Sequence, residues 1–253
     1  MTTLQHSKTA SAVPEHAAWA GAQIILLGIV ERTVGLGPMG WLTGIAYAVA
    51  TWSLLGYALQ RTGTALGPAD RVTLGRGVLV GSVTAIVVDR VGEGVPTAMM
   101  VAFTAVALSL DCVDGQVARR TGTASTLGAR FDMEVDAFLI LVLSVHVAFS
   151  FGPWVLAIGA MRYVFVAASW AFAWLRADLP GSYARKSVAA IQGVLLVVAA
   201  SGVVPFSEYL VGFALATLVW SFGRDTAWLF RHRVTAAAAT VAEPVVARSY
   251  VHV

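Results

Sequence analysis

Of 253 residues, 58% are hydrophobic and only 12% are charged, with a mean hydropathy of +0.76; that is about half the charged share of a soluble domain, which excludes a water-soluble globule and leaves a polytopic membrane protein. The net charge of +3 is no argument for a nucleic-acid partner, because basic residues in a membrane protein mark the cytoplasmic edges of its spans. A single cysteine, Cys112, rules out an internal disulfide and any cysteine-based metal cluster.

Residues 1–16, MTTLQHSKTASAVPEH, are polar and lack the charged-then-apolar order of a cleaved signal peptide. They read as a disordered cytoplasmic tail. At about 20 apolar residues per span, eight helices follow, over 17–34, 39–59, 72–88, 96–119, 128–151, 153–175, 183–204 and 206–230. The first is the weakest, since Glu31 and Arg32 interrupt it late. Residues 231–253 are rich in Ala and Val but short of a clean span, and read as a cytoplasmic tail. The expected fold is therefore an all-α bundle of membrane helices. Gly75, Gly77, Gly81 and Gly193 are expected where helices pack closely, as small residues do in membranes.

Basic residues recur on alternate connections: Arg61 and Arg71, then Arg119, Arg120 and Arg130, then Arg176, Arg185 and Lys186, then Arg231 and Arg233. The intervening turns near Gly37, Gly152 and Ser201 have none. By the positive-inside rule the first set faces the cytoplasm, and both termini with it. Trp41 and Trp154 then fall at outer ends of spans, and Trp174 and Trp228 at inner ends, as interfacial belts.

Residues 111–136, DCVDGQVARRTGTASTLGARFDMEVD, break the oily pattern with four aspartates inside two spans. A mid-membrane Asp costs about 2.5–3.5 kcal/mol on insertion scales, so such a residue is by default a candidate for function. At about 100° per residue, Asp111, Asp114, Gly115 and Ala118 share one helix face, and Gly128, Asp132 and Asp136 share another. If the two helices face each other, four carboxylates converge on one pocket. Hard oxygen donors with open coordination suit divalent cations, the usual apparatus for displacement at phosphorus.

The order D-x-x-D-G-x-x-A-R, eight residues, then G-x-x-x-D-x-x-x-D, complete as Asp111, Asp114, Gly115, Ala118, Arg119, Gly128, Asp132 and Asp136, resembles the signature of the CDP-alcohol phosphotransferase (CDP-alcohol phosphatidyltransferase) family. Eight fixed positions match by chance on the order of once in a million chains of this length, or less often. Ahead of the third span, GPADRVTLGR is similar to the family's juxtamembrane P-N-x-x-T-x-x-R element through Pro68, Thr73 and Arg76, with Asp70 where the family has Asn. Pro68 and Asp70 also make an ordinary helix start.

The resemblance implies a six-helix catalytic core within residues 61–230, preceded by two additional helices within residues 17–60. It also implies a CDP-alcohol donor such as CDP-diacylglycerol, an alcohol acceptor and release of CMP at a site in a cell membrane, which the positive-inside reading turns to the cytoplasm; family members often pair as homodimers. Carried onto these positions, it makes Asp111, Asp114, Asp132 and Asp136 ligands of two divalent cations, Mg²⁺ or Mn²⁺. Thr73, Arg76, Gly115, Ala118, Arg119 and Gly128 become the contacts to the CDP-alcohol. Asp136 is the family's general base, although a carboxylate is a weak base for an alcohol, and a purely metal-holding role stays open.

The acceptor must be read from elsewhere. Arg162 lies mid-span in the sixth helix, and Arg185 with Lys186 opens the seventh; together they suggest a phosphorylated polyol such as glycerol phosphate or inositol phosphate. Arg162 has alternative partners in Glu134 and Asp225. A non-phosphorylated or lipid acceptor is the alternative within the same chemistry. Outside it, a transporter predicts acids spread along a midplane path, whereas these cluster at one edge. An aromatic prenyltransferase predicts N-D-x-x-D-x-x-x-D on one helix, and an adaptor gives no account of the acids.

Overall fold

The structure is a computed structural model that describes residues 3–64, 66–91, 97–123, 125–177, 179–180 and 182–246, with side chains from residue 18 to residue 233 other than that of Lys186. Among the described residues there are eight α-helices and no strands: α1 (Thr3–Val34), α2 (Pro38–Thr62), α3 (Pro68–Asp89), α4 (Thr97–Thr121), α5 (Thr126–Phe151), α6 (Leu156–Ala171), α7 (Tyr183–Ser201) and α8 (Ser207–Val246). Six stretches are long and apolar enough to cross a membrane: α2, α3, α4, α5, α6 with the turn before it, and α7. The expected first and last spans, in α1 and α8, fall outside that set; the expected last span carries Glu208, Arg224 and Asp225.

Helix ends follow local chemistry. Pro38 and Pro68 open α2 and α3 behind Gly37 and Gly67, where a missing N–H costs nothing and φ is preset. Ser125 and Ser182 cap α5 and α7, their Oγ atoms accepting from the N–H groups of Gly128 at 2.8 Å and Arg185 at 3.4 Å. Among the boundaries that differ from expectation, three stand out. α1 begins at Thr3 and α8 runs on to Val246, so the described parts of both segments expected as tails are helical. Once a helix is nucleated each further residue adds a bond, and the Ala-rich TAAAATVA is a strong helix former. α6 stops at Ala171, short of the expected 175, with Phe172 extended at φ −117° and ψ 97°. There Arg176 folds back, its Nε donating to Ser169 O at 2.8 Å and its Nη2 to Trp170 O at 3.3 Å. The guanidinium thus takes up carbonyls that a helix end leaves open.

α3 is the central element, packing on α1, α2, α4 and α5. Of its apolar stretch 67% is buried, against 11% for that of α2, so α2 lies outside and presents Leu42 and Leu54 outward. Val80, Val83 and Val87 of α3 meet Met100 of α4 and Leu139 and Leu143 of α5 in the core. The two N-terminal helices are fastened to α3 at both depths. Gln23 Nε2 donates to Ser82 Oγ at 3.1 Å in the interior, and a Cβ on Gly81 would fall 2.6 Å from Tyr47 Cδ1, so glycine lets the ring lie on the α3 backbone. Gly193 is as close to Leu108, but Gly75 and Gly77 meet Trp19 and Tyr47 only at ordinary contact distance. At the far end of α3, Asp89 accepts from the N–H groups of Gly37 and Gly40 at 2.9 Å each, while Arg90 Nη2 donates to the carbonyls of Val34 and Gly35 at 2.5 and 2.6 Å. An acid on the start of α2 and a cation on the end of α1 each oppose the local helix dipole.

Candidate active site

The expected convergence is present. Asp111 and Asp114 on α4 and Asp132 and Asp136 on α5 point to one place beside α3, and Arg76 of α3 stands in the middle of them. Its Nη1 lies 2.9 Å from Asp111 Oδ1 and 2.6 Å from Asp114 Oδ2, and also bonds Asp132 Oδ1, while Nη2 bonds Asp136 Oδ1. Thr73, one turn before Arg76, donates to Asp114 Oδ2 at 3.2 Å. Arg76 is 1% exposed and Asp114 is buried, whereas the side chains of Asp111, Asp132 and Asp136 are 39%, 32% and 36% exposed. The cluster is closed behind Asp114 and open on the side of the other three acids.

Oxygens of Asp111, Asp114 and Asp132 lie within 4.8 Å of one another, a spread that ligands around a hard divalent cation at about 2.0–2.6 Å can span. At an effective dielectric constant of about 20, two carboxylates at that separation repel by about 3 kcal/mol. Such a group needs a cation, and the residues present fit a divalent one. Asp136 stands slightly apart, bonded to the other guanidinium nitrogen and outside the set of three.

Two glycines of the motif have neighbours that sequence spacing does not disclose. A Cβ on Gly128 would collide with Asp70 Oδ1 and fall 2.9 Å from Ser125 Oγ. Asp70 is buried, and its Oδ2 accepts from the Gly67 N–H at 2.7 Å, so it acts as the helix-start residue that Pro68 and Asp70 suggested. A Cβ on Gly115 would meet Arg119 Nη1 at 3.3 Å; the Arg119 guanidinium lies back over its own helix. Thr73 and Arg76, expected among the nucleotide contacts, are engaged with the acids. Their spacing, three residues apart on one face of α3, tells that they point the same way but not what they meet. Ala118 is half-buried on α4.

Of the residues expected around the acceptor, Arg162 and Arg185 are each paired with a carboxylate. Arg162 of α6 pairs with Glu134 of α5. Arg185 of α7 pairs with Asp225 of α8 at 3.2 Å and donates to Pro180 O at 2.7 Å. Arg224 also pairs with Asp225, at 2.9 Å, and lies over the Trp220 ring. The side chain of Lys186 is outside the described residues. Between α2, α5 and α6 runs an apolar groove of about 480 Å³ that includes Tyr47, Leu54, Phe131, Glu134, Phe138 and Tyr163. Its α5 wall adjoins the helix face that carries Asp132 and Asp136.

No curated protein and no solved structure matches the chain. The family model described as CDP-alcohol phosphatidyltransferase matches residues 68–220, from the first residue of α3 into α8 and over more than half of the sequence. With its acids converged and its apolar helices passing the membrane several times, the chain belongs to the CDP-alcohol phosphatidyltransferase family, membrane enzymes that transfer a substituted phosphate group from a CDP-alcohol to an alcohol.

Proposed function

We propose that this enzyme takes CDP-diacylglycerol or a related CDP-alcohol as donor and transfers its substituted phosphate to the hydroxyl of a small polyol, glycerol phosphate or inositol phosphate, releasing CMP at the cytoplasmic face. The observation that carries this reading is the meeting of four carboxylates from α4 and α5 at one partly open point. Two Mg²⁺ or Mn²⁺ ions bound there would supply Lewis-acid stabilisation of the charge developing on the diphosphate.

Asp111, Asp114 and Asp132, whose oxygens lie within 4.8 Å of one another, would hold the ions together with Asp136. Asp136, bonded to the other guanidinium nitrogen of Arg76, would also receive the proton of the acceptor hydroxyl as general base. Arg119, exposed beside Gly115, offers a guanidinium fork to a phosphate oxygen. The groove along α2 and α5 supports a lipid donor: it is apolar, belongs to a membrane-embedded face, and would take an acyl chain of a molecule whose diphosphate sits at the acids.

A phosphorylated acceptor would be held by Arg162, Arg185 and Lys186. The pairing of Arg162 with Glu134 and of Arg185 with Asp225 favours a second reading, an acceptor without a phosphate, because each guanidinium already has a carboxylate. Purified protein with CDP-diacylglycerol, Mg²⁺ or Mn²⁺ and a panel of acceptors decides between them. CMP release dependent on glycerol phosphate or inositol phosphate, with a raised acceptor KM in Arg185→Ala, is the expected result. Release with uncharged alcohols alone selects the second reading, and no release with any acceptor refutes both.

A further inference from the structure

We propose that Arg76 is a placeholder cation: it holds the acids together before divalent ions enter and competes with those ions for the same oxygens, so that loading requires its guanidinium to withdraw. The inference rests on the metal-dependent reading above and adds a positioning residue to it. An ion shared by Asp111, Asp114 and Asp132 must lie among oxygens that are within 4.8 Å of one another, and Arg76 Nη1 is bonded to all three of those residues. The two cations claim one point. Four carboxylates from two helices would otherwise repel one another across a partly buried junction, and the guanidinium bridges them there.

Arg76 is also incompletely satisfied in this position. Its Nε is buried with no hydrogen-bond partner among the described residues, so charge rather than a full set of hydrogen bonds holds the group in place. A long, flexible side chain anchored on α3 can leave the acids without moving a helix. Once divalent ions have neutralised the carboxylates, a displaced guanidinium beside them remains available to a phosphate oxygen of the donor.

Competition of this kind lowers apparent metal affinity by the fraction of molecules in which the acids are free. Mn²⁺ binding to the purified, EDTA-stripped full chain, followed by electron paramagnetic resonance, is therefore the measurement. Arg76→Gln is expected to bind Mn²⁺ at least about 10-fold more tightly than the unsubstituted protein, and its metal-free form is expected to melt earlier and recover on adding Mn²⁺. A residue with a merely structural role would give the opposite, weaker binding on removal. Equal or weaker binding in helical, monodisperse Arg76→Gln overturns the proposal. Should that variant not fold, Arg76→Lys decides: its single ammonium bridges fewer acids, so tighter Mn²⁺ binding supports the placeholder and equal or weaker binding overturns it. If the unsubstituted protein binds no Mn²⁺, or binds it as well after Asp114→Asn, the metal-dependent reading fails and this inference with it. Binding that depends on Asp114 but gains nothing in Arg76→Gln sinks the placeholder alone.

Discussion

Substituting Gly128 by alanine separates two reasons for a glycine in this motif. If the residue is small so that a nucleotide can lie on the backbone, Gly128→Ala raises the KM for the donor and leaves stability alone. The structure gives a different reason. The new Cβ would collide with Asp70 Oδ1, and that carboxylate cannot swing aside freely because its other oxygen holds the Gly67 N–H at 2.7 Å. Forcing a methyl into a filled space costs about 1–3 kcal/mol, and displacing Asp70 also removes a contact at the start of α3, about 1 kcal/mol on the scale of helix caps. We expect Gly128→Ala to destabilise the protein by about 2–4 kcal/mol. In an Asp70→Ala background the same change should cost clearly less, because only the 2.9 Å approach to the Ser125 hydroxyl is left to relieve. The assay is a double-mutant cycle by denaturant unfolding in detergent, which isolates the coupling. An equal cost of Gly128→Ala in both backgrounds refutes the reasoning, and a pure KM effect restores the nucleotide explanation.

Asp89→Ala should lower stability by about 1–3 kcal/mol through two lost N–H partners at the start of α2, while turnover per folded molecule is unchanged; a variant as stable as its parent would show that the clip between α3 and the N-terminal helices contributes nothing. Asp136→Asn should keep most Mn²⁺ binding and lose about 10²–10⁴-fold in turnover, and joint loss of metal and activity would make it a ligand instead. Arg176→Ala should fray the end of α6, seen as faster amide exchange at residues 169–172, and unchanged exchange would contradict its role as a cap.

The acid cluster was legible because it is written in local periodicity. Asp111 and Asp114 on one helix, and Asp132 and Asp136 on the next, need only the 100° step of a helix to share a face, and two consecutive membrane helices joined by a short loop are antiparallel neighbours. Hydropathy likewise placed six of the eight expected spans, since a bilayer imposes their length. Three things depended on the assembled bundle. Arg76 is 35 residues before Asp111 in the sequence, and only the packing of α3 against α4 and α5 puts its guanidinium among the acids. Asp70 against Gly128 is a contact between two helix starts that no spacing encodes. The pairing of Arg162 with Glu134 rather than Asp225 was a choice between two acids equally open in the sequence, settled by the packing of α6 on α5. Periodicity along one helix fixes which side chains face together; which side chains meet from different helices is fixed by how those helices pack, and that is a property of the whole chain.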